Sequence, residues 1–148
     1  MHATRRELCS MLPAVIMLPA MISSQESAEQ GKAMPSAIYP FEKLPVHTTN
    51  NVQIRNVLKG KLATGESLEV HETMLPPGGA PHAAHRHVHS EMWLIRKGTV
   101  ELTVNGSSYT IGPGSVGFVH SNDEHGIKNI GTTPAMYFVV AIGPGANA

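Results

Sequence analysis

The residues with the clearest chemical potential lie between positions 79 and 129. Three histidines and one glutamate recur there at short, regular spacings: His85, His87, Glu91 and His125. Imidazole nitrogens suit Zn, Fe, Ni and Cu, and a carboxylate adds negative charge and tolerance for Mn or Fe. These residue types therefore predict one divalent transition metal ion per chain, with Fe, Mn, Ni, Zn or Cu as candidates for its identity.

The spacing around these residues follows two recognisable blocks. The first reads G-x5-H-x-H-x3-E-x6-G over residues 79–98, and the second reads G-x10-H-x3-N over residues 114–129. In these blocks the chain resembles the small single-domain cupins, whose first motif is matched in full. The second motif departs from the family at two positions of the turn before the histidine, where His120 and Asn122 replace Pro and Gly. Asn tolerates the left-handed conformation better than most residues, so it is a mild substitute for Gly.

The rest of the chain after residue 50 has the pattern of an all-β protein. Eight short segments of strand character are separated by Gly and Pro: 53–58, 67–75, 92–96, 99–104, 107–111, 115–119, 126–129 and 136–142. Asn105-Gly106 predicts a two-residue hairpin of type I′. Strands of this number and spacing favour a jelly-roll sandwich or barrel. The resemblance, which covers roughly residues 50–143, independently implies a cupin-type jelly-roll β-barrel, and we place this single domain at residues 51–145.

Strand geometry offers an explanation of the motif. Because successive side chains on a strand point in opposite directions, His85, His87 and Glu91 share a parity and are expected to face the interior together. His125 is expected on a strand brought alongside by the intervening hairpin. The prediction is an enclosed metal site below an open mouth.

Four residues are candidates for roles beyond simple ligation. Glu91 is the catalytic candidate, because a carboxylate ligand can leave the metal transiently and accept a substrate proton. Trp93 lies two residues further on the same face, where core packing and a substrate-stacking wall are both open. His89 is expected at the mouth or behind the ligands, and His71 either lines the pocket or has a structural role.

Composition limits the kinds of partner. A chain of 148 residues with 11 basic and 11 acidic residues fits one domain without a basic patch, so a small-molecule substrate is expected and nucleic acid is not. The leading hypothesis is a metal-dependent enzyme, dioxygenase-like, acting on a small organic substrate. The alternatives are a non-catalytic metal-dependent binding protein and a metal-assisted isomerase or lyase. A homodimer is an open option.

The N-terminus has the pattern of an export signal, which we place at residues 1–28. Arg5 and Arg6 precede an apolar run over residues 8–22, which is short and interrupted by two prolines. Such a run is typical of a secretory signal rather than of a stable membrane span, and the Arg pair favours the twin-arginine route to the periplasm. The other reading is an N-terminal arm on a cytoplasmic protein. Residues 29–50 are expected to form a linker, anchored on the barrel through Tyr39-Pro40-Phe41.

Overall fold

The computed structural model of the chain describes residues 32–146, which form two antiparallel β-sheets. The nine strands are β1 (Val46–Thr49), β2 (Val52–Lys61), β3 (Ser67–Leu75), β4 (Ser90–Lys97), β5 (Val100–Val104), β6 (Ser107–Ile111), β7 (Val116–Val119), β8 (His125–Asn129) and β9 (Ala135–Ile142). The larger sheet has the order β1-β2-β3-β9-β4-β7, and the smaller has the order β6-β5-β8. The all-β jelly-roll prediction is therefore confirmed.

The hairpin between β5 and β6 forms as its sequence predicts. Asn105 and Gly106 have φ values of 47° and 81°, and Val104 pairs with Ser107 across the turn. Positive φ at both central positions is what a type I′ turn requires, and its twist matches that of the strands it joins.

The hydrophobic core lies between the two sheets. The larger sheet contributes buried side chains such as Trp93 and Tyr137, while the smaller contributes Val100, Leu102 and Ile127. Alternation along β9, where every second residue from Ala135 is buried, keeps one face of that strand on the core. The same alternation presents the opposite face to the exterior.

The two sheets are not closed into a barrel by continuous strand pairing within residues 32–146. Near the predicted site, an isolated bridge pairs His85, in the loop before β4, with His125 at the start of β8. His85 and His87 lie in an irregular segment before β4, so the prediction that the first motif runs along one strand is wrong for its histidines. Strand parity therefore does not orient them, and hydrogen bonds to the neighbouring loop and strand do so instead.

The segment predicted as a linker contains regular structure. It includes a 3-10 turn at Phe41–Lys43 and the edge strand β1, which pairs with β2. The Phe41 ring lies 4.5 Å from the Arg55 guanidinium carbon and 5.1 Å from that of Arg96. Both arginines pair with the buried carboxylate of Glu72, at 3.8 and 2.6 Å respectively. Phe41 thus holds the arm against the larger sheet, the anchoring role that the sequence predicts for it.

The predicted export signal lies outside the described residues and stays a prediction. In residues 32–146, no helix has the length and apolar character needed to cross a membrane.

Candidate metal centre

Three imidazoles converge beside the bridge that links the first motif to β8. The backbone amides of His85 and His125 each donate to the other residue's carbonyl at 3.0 Å, which places the two side chains next to each other. His87 completes the group, with ring centroids 5.1 Å from His85 and 4.5 Å from His125. One ring nitrogen from each residue lies within 4.8 Å of the other two, a spacing at which a single ion could contact all three.

Hydrogen bonds set the orientation of two of these rings. Nδ1 of His87 lies 2.8 Å from the His89 carbonyl oxygen, and Nδ1 of His125 lies 2.9 Å from that of Asp123. Since a carbonyl oxygen only accepts, each Nδ1 carries the proton and donates it. Each Nε2 is then left with a lone pair, the arrangement found in metal-ligating histidines.

The site also contains buried nitrogens without partners. Within residues 32–146, the buried side-chain polar atoms that lack a hydrogen-bond partner are His85 Nδ1, His87 Nε2 and His125 Nε2. Leaving a buried polar atom unpaired costs about 1–3 kcal/mol, so three together require an explanation. A cation that accepts their lone pairs explains all three.

Glu91 adds negative charge to the same place. From the start of β4, its Oε1 approaches His87 Nε2 at 3.1 Å, and its Oε2 approaches His125 Nε2 at 3.7 Å. Without an intervening proton or metal ion, a carboxylate oxygen facing an imidazole lone pair is repelled. The four predicted ligands are therefore brought to one location, with the carboxylate next to the three-histidine cluster.

His89 forms a second, overlapping cluster with His87 and Glu91. Its ring stacks on that of His87 with 3.6 Å between centroids, and its Nε2 lies 3.3 Å from Glu91 Oε1. In this geometry the His89 N–H donates to the carboxylate and orients it. The sequence analysis expected His89 at the mouth or behind the ligands, and the structure places it against His87 and Glu91, close enough to serve as a ligand as well.

Burial keeps several of these imidazoles neutral. It lowers the pKa of His85, an effect to which the neighbouring His82 and His125 add. Burial also lowers the pKa of His89, with a further contribution from His87. A neutral ring retains the lone pair that a metal needs, so these environments favour ligation near neutral pH.

A cavity of about 190 Å³ opens beside the cluster. At about 30 Å³ per water molecule it has room for roughly six waters, or a compact organic molecule. It is lined by Ile54, His71, Thr73, Pro81, His82, Glu91, Trp93, His125, Gly126, Ile127, Tyr137 and Val139. A larger groove of about 440 Å³ lies between the N-terminal arm and β2, but neither the three-histidine cluster nor Glu91 lines it.

The cavity contains both expected and unexpected residues. Trp93 belongs to the core and also lines the cavity, with its ring centroid 5.4 Å from that of His125, and its stacking role toward a substrate stays a prediction. His71 lines the cavity from β3. Sequence analysis missed Thr73 and Tyr137; the only signal was that Thr73 shares the parity of His71 on β3. Burial raises the pKa of the Tyr137 phenol, which therefore stays protonated and able to donate a hydrogen bond.

Two asparagines of the second motif have structural roles. Asn122 adopts a φ of 65°, as expected of a Gly substitute, and its backbone amide donates to the His87 carbonyl at 2.8 Å. Asn129 is fully buried, and its amide group donates to the carbonyls of Leu75 and Thr133. Its Oδ1 accepts from the Gly131 amide. The first asparagine holds the loop against the site, and the second connects β8 to the chain around it.

Comparison with known proteins identifies the class. A family model described as the cupin domain matches residues 71–141, a range that includes all four predicted ligands. Together with the two-sheet fold and the cluster of histidines, this match shows that the chain contains a domain of the cupin superfamily. The family resemblance read from the sequence is confirmed.

The match to curated relatives covers only part of the length of each relative. The chain is 33% identical over 81 residues to the L-ectoine synthase of Bordetella petrii, a match that covers 54% of this chain and 59% of that protein. The corresponding protein of Bordetella parapertussis is also 33% identical over 81 residues, with 60% of its length covered. The similarity thus spans about three fifths of each relative.

Solved structures support the fold alone, because their sequences are distant. A protein from Thermotoga maritima, described as a predicted oxalate decarboxylase, has a TM-score of 0.63 at 21% identity and covers 72% of this chain and 99% of its own. An RmlC-like cupin from Shewanella frigidimarina has a TM-score of 0.62 at 17% identity, and the match covers 74% of this chain and 94% of that protein. A cupin from Methanocaldococcus jannaschii with a double-stranded β-helix fold has a TM-score of 0.58 at 19% identity. That match covers 75% of this chain and 94% of that protein.

Proposed function

We propose that this domain binds one divalent transition metal through His85, His87, Glu91 and His125, and that it is an enzyme acting on a small organic molecule held in the adjacent cavity. The observation that carries the proposal is the set of three buried imidazole nitrogens without partners, two of which face a carboxylate. A bound cation would account for all three nitrogens at once, including His85 Nδ1, which has no carboxylate partner among the described residues.

The side chains around the cavity have different roles toward the ligand. A bound metal supplies Lewis acidity or redox chemistry at open coordination positions. Glu91, oriented by the His89 N–H, is the group placed to accept a proton. Tyr137 stays protonated and forms a hydrogen bond with Thr73 on the cavity wall. Trp93 and the aliphatic side chains around it limit access of water.

The reaction class has two leading candidates. A dioxygenase-like reaction is supported by the donor set, which suits Fe and Mn as well as Zn. A metal-assisted reaction without oxygen is supported by the similarity to proteins named L-ectoine synthase, over the part of them that matches. A non-catalytic binding protein would use the same site without turnover, since one fold hosts many functions.

Metal content tests the site directly. His125→Ala should lose stoichiometric metal in elemental analysis of the purified protein and should lose the thermal stabilisation that metal confers on the wild type. His120→Ala is the matched control, because His120 is an exposed histidine in the loop before β8. His89→Ala should keep its metal if His89 only orients Glu91. A fully loaded His125→Ala protein would contradict the ligand assignment.

Substrate turnover then separates the reaction classes. The metal-loaded protein should be assayed on a panel of phenols and enols with and without oxygen, following oxygen uptake and product formation. Consumption only with oxygen supports the dioxygenase, and consumption without oxygen supports the isomerase or lyase. If calorimetry shows metal-dependent binding of a small molecule and no turnover occurs, the binding-protein hypothesis is favoured over the enzyme hypothesis.

A further inference from the structure

A carboxylate–imidazole pair on β3 lies outside the predicted ligand set, and its imidazole lines the same cavity. Nδ1 of His71 lies 3.3 Å from Oε1 of Glu69. Both side chains are largely buried, with exposed fractions of 21% and 28%. The other carboxylate oxygen of Glu69 lies 3.7 Å from the Lys59 ammonium on β2. The charge of Glu69 is thus balanced by Lys59 while its second oxygen is directed at the imidazole.

Strand parity turns this pair toward the metal cluster. Glu69, His71 and Thr73 alternate along β3, and the latter two line the cavity together with Glu91 and His125. Opposite His71 in the sheet are Asn56 of β2 and Val139 of β9. His71 therefore adds an imidazole to a wall that also contains the apolar side chains of Val139 and Ile54 and the hydroxyl of Thr73.

The pairing fixes which nitrogen of His71 can accept a hydrogen bond. A carboxylate accepts, so Nδ1 carries the proton and donates it to Glu69. Burial lowers the pKa of His71, against the opposing influence of Glu69 and Glu91, so the ring is neutral near pH 7. In a neutral ring with the proton on Nδ1, Nε2 holds the lone pair.

We propose that His71, held in one tautomer by Glu69, is the hydrogen-bond acceptor that selects the cavity's ligand. The ligand class is a compact molecule that coordinates the metal at one end and presents an N–H or O–H donor to His71 at the other. Glu69 is the positioning residue for this contact. The inference rests on the proposed function, because the metal holds the first end of the ligand.

A pair of small chelators tests the contact. Acetohydroxamate binds a metal through two oxygens and keeps one N–H, whereas N-methylacetohydroxamate chelates alike but lacks that donor. The cobalt(II)-loaded full-length protein gives a visible spectrum that reports both metal occupancy and chelator binding. We expect the wild type to prefer acetohydroxamate by about fivefold to tenfold, the worth of one neutral hydrogen bond. His71→Ala and His71→Leu, which both lack an acceptor, should bind cobalt fully and lose most of that preference.

The positioning role of Glu69 has its own measurement. Side-chain ¹⁵N NMR of the zinc-loaded wild type should show His71 with its proton on Nδ1. Glu69→Ala should convert this signal to a mixture of tautomers and reduce the preference for the N–H chelator. A purely structural Glu69 would leave the tautomer unchanged.

The outcomes separate this inference from the proposed function. A wild type that takes up no cobalt overturns the metal site and the inference with it. Full cobalt occupancy without any preference between the two chelators overturns only the role of His71, as does an undiminished preference in His71→Ala or His71→Leu. An Nε2-protonated ring in the wild type also overturns it, and this measurement needs no variant to fold.

Discussion

At the scale of single residues, the chemistry depends on where each imidazole keeps its proton. Carbonyl oxygens hold the protons of His87 and His125 on Nδ1, so Nε2 of each is free to coordinate. His89 instead lies with Nε2 against Glu91, where its N–H can donate to the carboxylate. Neighbouring histidines of one short segment therefore have different roles, set by their hydrogen-bond partners.

The role of Glu91 can be separated from simple ligation by Glu91→Gln. Gln keeps the size and a weak donor oxygen but cannot accept a proton at neutral pH, so turnover per bound metal should fall by about 10²–10⁴-fold. Substrate affinity, measured by calorimetry, should change far less. Equal turnover per metal would leave Glu91 as a ligand only. His120→Ala again provides a control for handling and metal loading.

Stability of the metal-free protein should decrease as the solution becomes acidic. The pKa values of His71, His85 and His89 are lowered in the folded state, chiefly by burial. Below about pH 6.5, the ordinary pKa of histidine, these residues bind protons more readily in the unfolded chain than in the folded chain. The melting temperature of the chelator-treated protein should therefore fall between pH 7 and pH 5. The metal-loaded protein should show a steeper fall, because protons also compete with the metal. A flat profile in both forms would contradict these environments.

At the scale of elements, the site depends on how segments distant in sequence are held side by side. The loop containing His85 and His87 has little regular structure of its own, and it is attached through the bridge to β8 and the bond from Asn122. Glu91 is carried by β4, between β9 and β7 in the larger sheet. The rigid strands thus position the carboxylate, while the loop supplies the imidazoles.

Gly98 between β4 and β5 offers a matched test of this framework. It has a φ of +81°, and a Cβ there would lie 2.6 Å from the Ala135 Cα. Gly98→Ala should destabilise the fold by about 2–4 kcal/mol, from backbone strain and overpacking combined. Gly106 has the same φ but open space around it, so Gly106→Ala should cost only about 1–2 kcal/mol. If urea denaturation shows equal losses of unfolding free energy for the two variants, the contact with Ala135 does not contribute to the cost.

At the scale of the whole molecule, one outer surface remains apolar. Leu94, Val116, Phe118 and Ile142 are exposed on the larger sheet, at and near its β7 edge, with exposed fractions of 37–60%. Exposed apolar groups next to an unpaired strand edge are a common basis of self-association. The homodimer foreseen from the sequence stays a prediction, and this is the face on which we expect it to form.

The export prediction also concerns the molecule as a whole. Changing Arg5 and Arg6 together to Lys should leave precursor in the cytoplasm if the twin-arginine route operates, because that route reads the arginine pair itself. Fractionation followed by N-terminal sequencing measures the outcome. Continued export of the double variant would indicate the general secretory route. A wild-type protein that still begins at Met1 would contradict export.

The amino-acid sequence alone predicts the candidate donor residues, most strand positions and the β5–β6 hairpin. Those features depend on residue type, alternation and turn chemistry over a few neighbouring positions, all of which are local. It also indicated the left-handed turn at Asn122, because few residues other than Gly accept that conformation.

Which distant groups come together depends on the folded chain as a whole. The bridge from His85 to His125, the strand β1 and the loop conformation of His87 all depend on long-range pairing, which local periodicity does not encode. The same holds for the cavity wall, where His71 of β3, paired with Glu69, lines the same cavity as Glu91. Its position results from the order of strands in the larger sheet and from packing between the two sheets, and each of these is a property of the whole folded chain.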